Sequence, residues 1–101
     1  METINTKIPS QRLSGDLQLN GAAEGTIVVP DGVFFRLNGA IAGDLVVEEG
    51  GTAEVNGAVT GSVWNKGGAV VIRGMVMGAA HGHTSGQTTI EAGAMVNGQR
   101  H

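Results

Sequence analysis

His81 and His83, separated by one glycine, are the side chains whose spacing best suits chemistry, since two imidazoles can donate nitrogen to one metal ion. A firm zinc site needs three or four ligands, and nothing else in the chain is placed to complete the set. There is no cysteine, which excludes a thiolate site and a disulfide framework alike. Asp16, Glu24, Asp31, Asp44, Glu48, Glu49, Glu54 and Glu91 are spread over turn and polar positions. General acid–base work needs two such acids held at a set separation in a cleft, and this scatter does not provide it. Glycine-rich stretches such as Gly39-Ala-Ile-Ala-Gly43 do not lead into a helical pattern, so no phosphate-cradling fingerprint applies. The expectation is a protein that is not an enzyme and has no cofactor and no metal.

The elements that would position any site are more legible. The chain has 101 residues and a formal net charge of −3, the size of one small domain. No run of Lys/Arg is present to attract phosphate, so nucleic acid is not an expected partner. No apolar stretch approaches the roughly 18–20 residues that cross a bilayer, and residues 1–12 are polar overall, without a signal-peptide pattern. A cytoplasmic protein is the simplest expectation. Eighteen glycines with one Trp, two Phe and no Tyr leave Val, Ile, Leu and Ala to build a thin core. That suits a repetitive, narrow architecture.

The repeat is visible by eye. Leu19-Asn-Gly-Ala-Ala-Glu-Gly25, Leu37-Asn-Gly-Ala-Ile-Ala-Gly43, Val55-Asn-Gly-Ala-Val-Thr-Gly61 and Ile72-Arg-Gly-Met-Val-Met-Gly78 are copies of one unit. Their first glycines, Gly21, Gly39, Gly57 and Gly74, are 18, 18 and 17 residues apart. Val96-Asn-Gly98 reads as a fifth copy, delayed by an insertion containing His81-Gly-His83-Thr-Ser-Gly86. A fixed short period marks a solenoid, in which each unit buries its apolar face only by stacking on neighbours. Apolar residues also fall on alternate positions from Leu13 to Val47, with one parity shift near Gly67-Gly68, which is the period of a β-strand with one buried face.

Asn-Gly between alternating apolar runs is also the strongest short hairpin signal, so an antiparallel meander competes. It would put Gly25, Gly43, Gly61 and Gly78 inside strands, where glycine is unfavourable. The reading adopted is therefore an all-β fold, a short single-stranded parallel β-helix of about five triangular coils of 17–18 residues. Residues 1–12 form a tail and residues 13–101 the solenoid domain. Stacking predicts an asparagine ladder at Asn20, Asn38 and Asn56, and interior columns Leu19–Leu37–Val55–Ile72 and Ile27–Leu45–Val63.

Solenoid ends expose unpaired strand edges, which proteins cover, charge or pair with another chain. No capping helix is legible after Val96, so self-association through the ends is expected. Val28, Val46 and Trp64 fall at one outward position of successive repeats, and Phe34, Val71, Met75 and Met77 add further outward apolar positions. A contiguous patch of this kind is a candidate protein interface, unless Ile4 and Ile8 of the tail pack on it.

The recurring Leu/Val-Asn-Gly-x-Val-x-Gly-x-Leu/Val pattern, clearest in Leu37–Val47 and Val55–Val63, resembles the bactofilins, polymer-forming bacterial cytoskeletal proteins. The resemblance implies a right-handed parallel β-helix that polymerises end to end without nucleotide and serves as a scaffold. It also implies a hydrophobic assembly contact around Met95 and Val96. The chain lacks the long Pro-rich tails and the apolar membrane-targeting N-terminus of that family. Two other classes stand beside it. One is a small binding module, an adaptor or immunity protein, presenting the apolar face to a protein partner. The other is similar to the hexapeptide-repeat acyltransferases, for which His81 or His83 would have to serve as base.

Overall fold

The computed structural model describes residues 2–81, 86–96 and 99–100, with residues 2, 99 and 100 described by backbone alone. Among the described residues there is no helix, and sixteen short strands wind into a parallel β-solenoid. The first coil holds β1 (Glu2–Ile4) and β2 (Lys7–Arg12), the second β3 (Leu17–Leu19) and β4 (Ala22–Val29). The third holds β5 (Phe34–Leu37), β6 (Ala40–Ala42) and β7 (Leu45–Val47). The fourth holds β8 (Thr52–Val55), β9 (Ala58–Val59) and β10 (Val63–Asn65). The fifth holds β11 (Ala69–Ile72), β12 (Met75–Val76) and β13 (Ala80–His81). A partial sixth follows with β14 (Gln87–Ile90) and β15 (Met95–Val96), and β16 (Gln99–Arg100) comes last.

These strands make three faces. The first stacks β1, β3, β5, β8, β11 and β14. The second stacks the leading halves of β2 and β4, then β6, β9, β12 and β15. The third stacks the trailing halves of β2 and β4, then β7, β10 and β13. Every pairing between coils is parallel, so the meander reading fails for the body of the molecule. The molecule measures 29 × 25 × 19 Å, about as wide as it is long.

The interior is a set of axial columns. Leu19, Leu37, Val55 and Ile72 stack in register and are wholly buried, with Ile4 before them and Ile90 after. Ile27, Leu45 and Val63 form a second column, and Ala23, Ile41, Val59 and Val76 a third, all buried. Phe35, the largest fully buried side chain, stands over Ala53, so a large residue is offset by a small one in the next coil.

The repeat glycines act through space rather than through backbone conformation. A Cβ on Gly21, Gly39, Gly57 or Gly74 would come closer than 3.0 Å to backbone of the preceding coil. None of the four adopts a positive φ, whereas a two-residue hairpin turn of the type Asn-Gly favours would require it. Beside them Asn20 donates its amide to Asn5 at 2.8 Å, Asn38 to Asn20 at 2.9 Å and Asn56 to Asn38 at 3.2 Å. The ladder is real and begins one coil earlier than the repeat pattern shows.

Residues 2–12 accordingly form a coil and not a tail. β1 pairs with β3 and β2 with β4, and Ile8 points into the core. Asn5-Thr6 takes the place of Asn-Gly there, and among the described residues no coil precedes it to crowd a side chain. Val96-Asn-Gly98 is not a fifth copy of the unit. Val96 pairs with Val76 on the second face, and Ile90 is the true counterpart of Ile72. The segment around His81–Gly86 adds nothing to the first face, where Ala69 pairs with Gln87 after an ordinary coil length. The extra residues lie at the next corner, where Ala92 is exposed rather than inward and Gly93 takes φ 90°. Gly98, His83 and His101 lie outside the described residues.

The single parity shift has a physical cause. The coil from Ala53 to Val70 is one residue short, and buried Asn65 stands in register with Val47 where the column otherwise has valine. Its Oδ1 accepts from the N–H groups of Gly67 at 3.2 Å and Gly68 at 2.8 Å. Its Nδ2 donates to the Gln87 carbonyl at 2.9 Å and to Thr88 Oγ1 at 3.0 Å. The side chain thus satisfies a corner too tight to satisfy itself. Asn65→Val should lower unfolding stability by about 1–3 kcal/mol, the cost of stranding buried donors, despite the added apolar surface. Denaturant titration checks this, and an unchanged midpoint overturns it. Gly39→Ala should be worse, since its Cβ meets backbone that cannot move aside. Loss of a cooperative thermal transition is expected, and a native-like melt would show the coils are free to separate.

Candidate functional site

The outward apolar residues do not form one patch; they divide among the three faces. On the third, Val28, Val46 and Trp64 pair in register, and His81 follows Trp64. The indole and imidazole rings stack with centroids 3.9 Å apart and planes within 16° of parallel. Two valines therefore lead to an aromatic pair near the C-terminal end. His81, weighed from sequence as a metal ligand or catalytic residue and set aside, is engaged as a stacking partner. Among the described residues no group of three or more His, Asp or Glu side chains is arranged to hold a metal ion.

Phe34 and Val71 lie on the first face, in a different setting. Arg36 stands 5.6 Å from the Phe34 ring centroid, the geometry of a cation–π contact. Val71 pairs with Glu54 on one side and Thr89 on the other. This face is dominated by charge. Glu54 accepts from Arg73 at 2.7 Å and lies 3.6 Å from Arg36, and Arg73 also donates to Glu91 at 2.9 Å. The Glu91 hydrogen bond first, and the Glu54 charge second, hold the Arg73 proton more firmly than in a free arginine. Glu54 is half-buried while Arg73 and Glu91 reach solvent, so screening by water keeps the contribution of the Arg73 pairs small.

The second face carries the methionines. Ala22, Ala40, Ala58, Met75 and Met95 form one outward column in register. Met75, Met77 and Met95 are 40%, 58% and 37% exposed, and with Val76 they line a hollow of about 220 Å³. Val96, by contrast, points inward and is buried, so it belongs to the core and cannot itself present a surface. A second, shallower groove of about 510 Å³ runs over the glycines at positions 50, 51, 67, 68 and 86 and is flanked by Thr52, Ala69 and Gln87.

The two ends differ. At the N-terminal edge Ala22 N–H donates to the Thr6 carbonyl at 3.3 Å, so Thr6 and, by strand alternation, Ile8 face β4. Lys7 and Pro9 then face the open edge, where proline offers no N–H and a lysine adds charge. At the opposite end β16 runs antiparallel to β15, covering the last strand of the second face. The C-terminal end, which the sequence leaves bare, is thus partly covered. On the first face β14 is the last strand, and on the third β13 is the last among the described residues.

Sequence reasoning missed the Trp64–His81 stack and the ion pairs Lys7–Glu24 at 2.7 Å and Arg12–Glu48 at 2.6 Å. The available signal was the coil period, which places His81 one coil after Trp64. No family profile, curated protein or solved structure matches this chain. His81→Ala should expose the Trp64 indole further and shift its emission to longer wavelength, a clean readout because the chain has a single tryptophan. An unchanged spectrum would show that the two rings do not stack in solution.

Proposed function

We propose that this chain is a non-catalytic, self-assembling structural scaffold that associates through the ends of its solenoid. The observation behind this reading is the pair of open strand edges. β1 begins the first face and β14 ends it, each leaving backbone N–H and C=O groups on one side without a strand partner among the described residues. Such edges are templates for pairing with another chain. The resemblance of the Asn-Gly repeat to the bactofilins points the same way, toward a nucleotide-free cytoskeletal role. A cytoplasmic setting belongs to the same reading, and among the described residues no helix is long and apolar enough to cross a membrane.

A second reading is favoured by the hollow at Met75, Met77 and Met95. Flexible thioethers exposed together suit contact with a different protein, as in an adaptor. The two readings separate by experiment. Light scattering behind size exclusion over a wide concentration series, with electron microscopy of the same samples, should show species that grow with concentration and resolve into regular stacks. A monomer at every concentration would overturn the scaffold and leave the methionine surface as the functional one.

A further inference from the structure

The C-terminal end is stepped, and the step is self-complementary. The first face ends at its sixth strand, β14. The second face also has six parallel strands, but β16 adds a seventh level beyond β15. Among the described residues the third face ends at β13, which pairs with β10 and belongs to the fifth level. One face is therefore one strand too long and another one strand too short.

From this, and resting on the end-association reading above, we propose that two copies meet tail to tail about a two-fold axis, each supplying β16 as the sixth strand of the other's third face. Turning one copy by a half-turn about an axis through the middle of the first face reverses the sense in which its coils run. β14 then meets the partner's β14 antiparallel. The second face of each copy comes into line with the third face of the other. β16, one level past the junction, stands at the level the partner's third face lacks.

Direction agrees as well as position. β16 runs against β15, and so against the sense of its own coils. In the half-turned partner that sense is the native one, so β16 lies parallel to the partner's β13, as every other pair on that face does. Lengths also match, two residues in β13 and two in β16. Head-to-tail stacking lacks this fit. With β1 of the next copy against β14, its β2 would fall at the level β16 already occupies. The edge that β2 would offer also carries Pro9, which has no N–H to give.

The absence of cysteine makes the test clean. Full-length His81→Cys and Arg100→Cys variants are mixed and oxidised, alongside each variant alone and alongside a Thr3→Cys plus Thr89→Cys mixture. A covalent dimer from the first mixture, and from neither variant alone, is expected. Ala80→Cys with Gln99→Cys repeats the test should either first variant fold poorly. A Thr3–Thr89 cross-link without an 81–100 cross-link means head-to-tail contact and overturns this proposal while sparing the scaffold. Association by light scattering with neither cross-link has the same meaning. No cross-link and a monomer throughout overturns both.

Discussion

Successive coils can hydrogen-bond only if their backbones approach to about 4.8 Å along the axis, and the rest of the structure depends on keeping that spacing at the corners. Along the faces this is easy, because side chains point into the core or out to solvent. At a corner the chain turns, and a Cβ there is directed at the coil before it. Gly21, Gly39, Gly57 and Gly74 remove that Cβ, each beneath a carbonyl of the previous coil. At the first three of these the asparagine one residue earlier spans the same gap with its side-chain amide, so those corners carry hydrogen bonds beyond those of the strands, while Arg73 precedes Gly74. Glycine supplies the closeness and asparagine uses it.

With the spacing fixed, the core follows as a problem of volume. Three faces close on a narrow triangle, and only the residues of one coil above and below adjust to a given side chain. Phe35 fits because Ala53 is small. Asn65 shows the limit of the scheme. Removing one residue from a coil leaves two glycine N–H groups without carbonyl partners, and a polar side chain inside the core replaces them. A buried amide is stabilising only when satisfied, and this one makes four hydrogen bonds.

Much of this was legible in the residues. The 18-residue period located the corners, and alternation separated inward from outward positions from Leu13 onward. What alternation does not say is which of three faces an outward residue occupies, because parity survives a corner. Val28, Met75 and Phe34 are all outward and stand on different walls. The same two letters also misled at one point. Asn-Gly suits a solenoid corner and a hairpin alike: Val55-Asn-Gly57 makes a corner, whereas Val96 belongs to a strand that pairs antiparallel with β16. Only the strand across from each tells them apart. Residues 2–12 escaped notice for the converse reason, since among the described residues no coil lies before them and Thr6 stands where the later coils need glycine.

The asparagine column has one further property. Every amide in it donates in the same axial direction, from Asn56 to Asn38 to Asn20 to Asn5. Its dipoles therefore add, and one corner of the triangle runs from partial positive charge at the N-terminal end to partial negative charge toward the C-terminal end. A single copy has an electrical direction as well as a geometric one. In a pair related by a perpendicular two-fold axis, those axial components oppose and cancel. The pair then offers a visiting molecule two equivalent outer ends and no preferred direction of travel between them.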